Sequence, residues 1–210
     1  MSLEPQTRAR RKLAAAARLA ARLLPPALPP ALFLTDPART PVPEEIVAGL
    51  PRGWGVVYRH FGAAERASQA ARLARLCRAR GLILLIAADP VLAARIGADG
   101  VHWPFRMRQQ MWRWRARFRL QTISAHSARE MRMAAGYRAD AVVLSAVFPS
   151  RSPSAGPAMG ALRFSKLARA SRIPVYALGG VTANNAALAA RSAGFAAVEG
   201  MTAFRQPVRT

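Results

Sequence analysis

The sequence predicts one domain of the α/β class, a single (β/α)8 TIM barrel with an extra N-terminal helix and a truncated C-terminus. Three observations carry that expectation. Short apolar runs alternate with helical segments until eight strands have been counted, the order of elements that builds a parallel barrel and not a sandwich or bundle. Residues 174–204 read as one complete βαβ unit whose two consecutive strands end in glycine turns. The chain has 210 residues, 52% of them hydrophobic, enough for one large core.

The elements follow in order. Thr7 to Leu24 is an alanine-, leucine- and arginine-rich amphipathic helix that stops at Pro25-Pro26. An acid-poor helix of this kind also suits a targeting segment or a membrane surface, but a structural role is preferred. Few residues follow the last strand, so this helix is expected to cover the wall left open there. The domain organisation is therefore residues 1–30, a basic helix with a proline-rich linker from Pro25 to Pro30, and residues 31–210, the barrel. Ala31 to Thr35 is the first strand and ends at Asp36-Pro37. A short helix covers Glu44 to Leu50, a second strand covers Gly53 to Arg59, and an alanine-rich helix covers Glu65 to Arg80. The third strand, Leu82 to Ala87, precedes a helix started by Asp89-Pro90 and ended by Gly97. Gly100 to Trp103 is the fourth strand, and Phe105 to Arg117 is a helix. Gln121 to His126 is the fifth strand, and Ser127 caps a helix running to Tyr137. Ala141 to Val147 is the sixth strand, then a long loop and a helix from Leu162 to Ala170. Val175 to Leu178 is the seventh strand. Gly179-Gly180 turns the chain, Thr182 caps a helix ending at Gly194, and Ala196 to Val198 leads to Gly200-Met201-Thr202.

The charge balance is extreme, with 32 basic and 10 acidic residues and a formal net charge of +22. Nucleic acid is nevertheless an unlikely partner, because the arginines are scattered over the helices and only Trp112 and Trp114 combine aromatic and basic residues. Two indoles two residues apart on a helix point in different directions and cannot form one stacking platform. At least one packs on the barrel or on a second subunit, so a homodimer stays open. Only weak binding that salt abolishes is expected. No apolar run approaches the roughly twenty residues of a membrane span, and the lone Cys77 fits a reducing, cytoplasmic compartment.

Chemistry in such a barrel is expected at the carboxyl ends of the strands. The glycine turns after the last two strands form a candidate phosphate cradle of backbone N–H groups, with tight strand-to-helix packing as the alternative. Arg59, at the end of the second strand, is expected to grip an anionic substrate. Asp36 ends the first strand and can orient a ligand, and His126 ends the fifth, where a histidine can give and take a proton near neutral pH. His102 reads as a hydrogen-bonded core or rim residue, and His60 as a mouth residue or an exposed one. Asp89 reads as a helix cap, Asp99 and Asp140 lie on the opposite, stability face, and Glu199 points into the barrel or towards a helix.

Several stretches then add a resemblance. FLTDP at the first strand, IGADGVHWP, ISAHS, VFPSRS, ALGGVTANNA and EGMTAF resemble, in order and spacing, the thiamine phosphate synthase family with its TenI-type relatives, from about Phe33 to Phe204. The resemblance implies a barrel that binds a thiazole phosphate in thiamine synthesis. In the synthase a pyrimidine diphosphate ionises with Mg²⁺ on its diphosphate, and the thiazole nitrogen attacks the cation. Positions that hold this metal fall here on Ala88 and Met107. A polar pattern after the second strand falls on Val57, Arg59 and Phe61, keeping only the arginine, and a lysine falls on Pro153. The resemblance carries Gly179, Gly180, Gly200 and Thr202 to the phosphate cradle, with Ser150 and Ser152 as hydroxyls of the sixth loop. Ser124 and Arg151 join Asp36 in the substrate pocket. Pro104 looks more like the TenI group, metal-free thiazole tautomerases in which the counterpart of His126 is acid and base. The expectation is a protein of thiamine biosynthesis with no cofactor or metal, whose partner is a phosphorylated thiazole or thiamine phosphate. Metal-free proton transfer is preferred to coupling, and a weakened or Mg²⁺-independent synthase or a non-catalytic binding protein are the alternatives.

Overall fold

The computed structural model describes residues 3–150, 152 and 156–206. Eight parallel strands close into one barrel in sequence order. They are β1 (Ala31–Leu34), β2 (Gly55–Tyr58), β3 (Ile83–Ala87), β4 (Gly100–Trp103), β5 (Leu120–Ala125), β6 (Ala141–Leu144), β7 (Val175–Ala177) and β8 (Gly194–Ala197). The helices are α1 (Leu3–Ala21), α2 (Pro43–Val47), α3 (Arg66–Arg80), α4 (Pro90–Ile96), α5 (Arg108–Met111), α6 (Ala128–Gly136), α7 (Ala161–Arg169) and α8 (Ala186–Ala190). The fold is the (β/α)8 barrel read from the sequence.

Strand alternation divides the apolar residues into two cores. Leu34, Val57, Leu85, Leu120, Val143 and Tyr176 fill the barrel. Phe33, Tyr58, Ile86, Trp103, Ile123 and Phe195 face outward into the helices. Leu24 and Leu28, in the proline-rich stretch after α1, belong to the inner core, and Tyr176 Oη donates to the Pro29 carbonyl at 2.6 Å. That stretch is thus a plug in the amino-terminal end of the barrel.

Helix α1 covers the open wall. Leu13, Ala16, Ala17 and Ala20, spaced along one helical face, are buried, and α1 packs on α8, β8 and the 3₁₀ turn Glu199–Phe204. Lys12 Nζ donates to Asn184 Oδ1 at 2.7 Å, and Arg10 Nη2 donates to the Arg205 carbonyl at 3.1 Å.

Several local expectations are corrected. The predicted helix from Phe105 to Arg117 is a broken series, Phe105–Met107 in 3₁₀ form, α5, and Trp112–Trp114 in 3₁₀ form. Its apolar residues do not keep one helical face, since Met111 is buried while Trp112 is 60% exposed under the Arg138 guanidinium. Trp114 packs on Phe118 at 5.9 Å between ring centroids. Gly194 opens β8 instead of ending a helix, because the Tyr176 ring lies where a Cβ would stand, 2.4 Å away. Thr182 stands ahead of α8, which begins after Asn185, and its Oγ accepts from the Asn184 N–H. Glu199 lies beyond β8, in the 3₁₀ turn. No helix among the described residues is long and apolar enough to cross a membrane.

Candidate functional site

A cavity of about 450 Å³ opens at the carboxyl ends of β1, β2 and β4 to β8, within the size range of small-ligand pockets. One wall is the glycine end. Gly179 and Gly180 have φ of +93° and +63°, which glycine adopts without strain. A Cβ on Gly180 would stand 2.1 Å from the Pro149 carbonyl oxygen, and one on Gly200 would stand 2.5 Å from that of Val181. The close packing of the two turns and the loop after β6 therefore requires both glycines. The N–H groups of Gly180 and Val181 have no acceptor among the described residues, so the packing reading and the cradle reading are compatible here. Ser150 and Ser152 line the same wall, and the Ser152 N–H donates to Ser150 Oγ at 3.2 Å. Thr202 does not line the cavity. Its Oγ donates to the Glu199 carbonyl at 2.8 Å, inside the 3₁₀ turn. Arg151 and Pro153 lie outside the described residues.

The adjoining stretch of the rim, after β1 and β2, carries the cations, β1 pairing with β8 to close the barrel. Asp36 builds a turn after β1, its Oδ1 accepting from the N–H groups of Ala38 (3.1 Å) and Arg39 (3.0 Å). Its Oδ2 pairs with Arg39 at 2.7 Å and reaches Arg59 at 3.6 Å. The hydrogen bond from Arg39 holds the Asp36 carboxyl down to about 2. Arg59 is fixed further, its N–H donating to Thr35 Oγ and its Nε to the Thr35 carbonyl. Burial lowers its pKa and Asp36 opposes that, while a guanidinium keeps its charge at any ordinary pH. Two guanidiniums share one carboxylate, which leaves net positive charge at the rim. Arg59 and Arg39 line the cavity, and Asp36 stands behind them.

Residues of β5 and β6, on the far side of β7, complete the lining. Ser127 caps α6 through the Glu130 N–H at 3.1 Å, and the Glu130 carboxylate returns to accept the His126 N–H at 2.7 Å. This reciprocal cap sets the His126 backbone, and its exposed ring meets Ser145 Oγ through Nδ1 at 3.1 Å. Ser124 lines the floor together with His102, whose two ring nitrogens stand 2.9 Å from Thr122 Oγ and 2.9 Å from Ser124 Oγ.

Sequence reasoning missed Arg39 and Ser145 and placed His102 only as core or rim. Their signals were positional. Arg39 follows the strand-ending Asp36 by three residues, Ser145 immediately follows β6, and His102 alternates with the outward Val101 and Trp103. His60 is buried beside Tyr58, with ring centroids 4.9 Å apart, and does not line the cavity.

The β3–β4 side differs. Ala88, at φ +58°, gives its N–H to the His102 carbonyl, and Met107 lies in a 3₁₀ turn. Asp89 accepts from the Leu92 N–H as the cap of α4 and pairs with Arg66 at 2.5 Å. Among the described residues no three His, Cys, Asp or Glu side chains gather to hold a metal. Mg²⁺ takes octahedral oxygen ligands that include carboxylates, and the side chains here do not fit it.

Comparison with known proteins agrees with this architecture. The profile of the family described as thiamine monophosphate synthase, TMP-TENI, matches residues 33–203. A thiamine-phosphate synthase of Geobacillus thermodenitrificans is 33% identical over 132 residues, covering 58% of this chain and 56% of that protein. One of Thiobacillus denitrificans is 38% identical over 155 residues, covering 68% of this chain and 71% of that one. The chain thus spans little more than half the length of the Geobacillus relative. Among solved structures, a thiamine phosphate pyrophosphorylase from Pyrococcus furiosus shares the fold with a TM-score of 0.69 at 20% identity, over 85% of this chain and 92% of that one. With the family profile running from β1 to the turn after β8, the chain belongs to the thiamine monophosphate synthase (TMP-TENI) family of thiamine biosynthesis.

Proposed function

We propose that the barrel binds a thiazole phosphate and moves a proton on it without a metal, in the manner of a thiazole tautomerase. The observation that carries this reading is the composition of one cavity: glycine turns after β7 and β8, where the Gly180 and Val181 N–H groups have no acceptor among the described residues, Arg39 and Arg59 beside them after β1 and β2, and Ser124 and His126 from β5 across the mouth from β1. The phosphate takes the backbone N–H groups of the Gly179-Gly180 turn and the turn at Gly200, with the hydroxyls of Ser150 and Ser152 beside it. Arg59, held by Thr35 and Asp36, offers a rigid fork to a further anionic edge of the ligand. His126 is the acid and base. Because Ser145 can donate to Nδ1 or accept from it, the ring can present Nε2 either bare or protonated without turning.

Two other readings have support. The curated relatives carry the name thiamine-phosphate synthase, and the arginines at the rim supply charge of the sign a diphosphate needs, which favours coupling without Mg²⁺. The apolar residues Ala88, Met107 and Phe61 favour a non-catalytic carrier. One experiment separates the three. Purified protein is incubated with thiazole phosphate, with and without pyrimidine diphosphate, in Mg²⁺ or in EDTA, while NMR in deuterium oxide follows exchange and product. The expected result is solvent-derived deuterium in the thiazole, equally in Mg²⁺ and in EDTA. Efficient Mg²⁺-dependent formation of thiamine phosphate overturns the proposal, and binding by calorimetry without exchange or product assigns the carrier.

A further inference from the structure

We infer that His102 is a positioning residue of this cavity, which holds the Ser124 hydroxyl against the ring edge of a bound heteroaromatic phosphate and lets it act there as donor or acceptor. The inference rests on the cavity being the ligand site. It assigns work to a histidine that sequence reasoning left as a core or rim residue.

The geometry begins with strand register. His102 pairs with Thr122 across β4 and β5, and alternation turns His102, Thr122 and Ser124 inward together while Val101, Trp103, Ile123 and Ala125 face the helices. His102 is only 5% exposed, and Thr122 only 1%. The inward neighbours on β3, β5 and β6 are Leu85, Ala87, Leu120, Ala141 and Val143, all apolar. A polar row in an apolar interior is stable only where its members bond to one another, and this row does so, 2.9 Å on each side of the ring. Only Ser124 of the three is half-buried, and it lines the cavity.

The protonation state follows from the surroundings. Burial, with the positive charge of Arg59 adding to it, pushes the His102 pKa down to about 3, so the ring is neutral. With both nitrogens bonded, it is not itself a proton carrier for a ligand and acts through Ser124. A neutral imidazole has one donor nitrogen and one acceptor nitrogen, and each neighbouring hydroxyl can serve either. With hydrogen on Nε2, the ring donates to Ser124 Oγ and the serine proton faces the cavity. With hydrogen on Nδ1, the ring donates to Thr122, Ser124 donates to Nε2, and serine lone pairs face the cavity. The two arrangements hold the same number of protons and the same charge. Ser124 can therefore meet a ring nitrogen with or without its hydrogen, which a ligand interconverting between tautomers presents in turn.

Side-chain isosteres test this. The amide of His102→Gln can reach the place of Nε2 and keep Ser124, whereas that of His102→Asn reaches only the place of Nδ1 and Thr122. Calorimetry would measure thiazole phosphate and inorganic phosphate on wild type, both variants, Ser124→Ala and the His102→Asn/Ser124→Ala pair, with circular dichroism checking that each is folded. Losing one neutral hydrogen bond should weaken thiazole phosphate binding roughly tenfold in His102→Asn and in Ser124→Ala, and no further in the pair. His102→Gln should recover most of that loss, and inorganic phosphate should bind all of them alike. Additive losses in the pair, or wild-type affinity in His102→Asn, would overturn the inference. Nitrogen-15 NMR of the imidazoles gives an arm free of ligand. Ser124→Ala should move the Nε2 resonance of His102 and, through the tautomer balance, Nδ1 in the opposite sense. Unchanged resonances would refute the coupling, and a ring that titrates near pH 6 in wild type would refute the neutral relay. If NMR shows the coupling but wild type does not bind thiazole phosphate, the site reading fails and takes the ligand-directed role with it.

Discussion

The two halves of the barrel mouth use polar groups in opposite ways. On the β5–β8 side, the polar groups keep part of their bonding capacity for something else. The N–H groups of Gly180 and Val181 have no acceptor among the described residues, His126 is exposed, and Ser124 faces the cavity. On the β3–β4 side, Ala88 bonds the His102 carbonyl, Asp89 serves Leu92 and Arg66, and Arg66 also reaches the Ala87 carbonyl. A fold of this kind places every strand end at the same mouth, but only groups with spare donors or acceptors can recognise a ligand. The contrast supports placing the proposed binding away from the β3–β4 loops, whose polar groups are already paired.

Removing the proposed proton carrier breaks the contrast most severely. His126→Ala should lower the rate of deuterium exchange into thiazole phosphate at least about hundredfold, as expected for loss of a general acid and base, while inorganic phosphate binds unchanged. Its ring is exposed and its backbone is set by Glu130, so the fold should survive, and a thermal melt would confirm it. Exchange at the wild-type rate would move the chemistry to another group.

The next effect falls on the cradle. In Gly180→Ala, the new methyl would meet two backbone carbonyl oxygens, 2.1 Å and 2.8 Å away, at a φ of +63°. Main chain cannot step aside as a flexible side chain can, so a loss of about 2–4 kcal/mol is expected in urea denaturation, with phosphate affinity falling alongside. Gly136, at the end of α6, has open space where its Cβ would be. Gly136→Ala should leave stability within about 1 kcal/mol of wild type and phosphate binding untouched. Equal effects of the two substitutions would mean that the glycine turns are not built for close approach.

These expectations show how much was legible in the sequence. Strand order was readable because a parallel barrel buries whole apolar runs, and VFPSR, ALGG and EGMT mark where they end. Arg59 and His126 were readable as strand-end residues. The broken stretch from Phe105 to Trp114 was not, because its residues can all enter a helix and only the packing of Met111 and Trp114 selects another path. Arg39 was hidden for a different reason. Its role depends on the Asp36 turn, a local geometry that leaves no periodic trace.

That turn supplies a pH test on the cationic wall. The folded pKa of Asp36, about 2, lies below its usual 3.8, so the pairing stabilises the protein above pH 4 and is lost as pH falls from 3.8 towards 2. Arg39→Ala removes the largest cause of that shift. It should cost roughly 1–2 kcal/mol at neutral pH and flatten the fall in stability between pH 4 and pH 2, measured by denaturation at each pH. An unchanged acid limb would mean that the Ala38 and residue-39 N–H groups of the turn, and not the Arg39 guanidinium, hold the carboxylate.

The smallest effect belongs on the other side. Arg66 and Asp89 are side chains that are 20% and 30% exposed, so water screens their pairing and its loss should be modest. Arg66→Met should cost on the order of 1 kcal/mol in urea denaturation. Asp89 keeps its cap on the Leu92 N–H, and phosphate affinity and exchange rate should stay at wild-type values because neither residue lines the cavity. The variant also leaves a carboxylate available near the strand end where synthases of this family would hold their metal. One carboxylate beside Ala88 and Met107 does not supply the oxygen ligands Mg²⁺ requires, so millimolar Mg²⁺ should not raise the melting temperature of Arg66→Met. A Mg²⁺-dependent rise confined to that variant would show that an ion pair, and not missing ligands, keeps the metal out, and the closed half of the mouth would then have to be read as a site held shut.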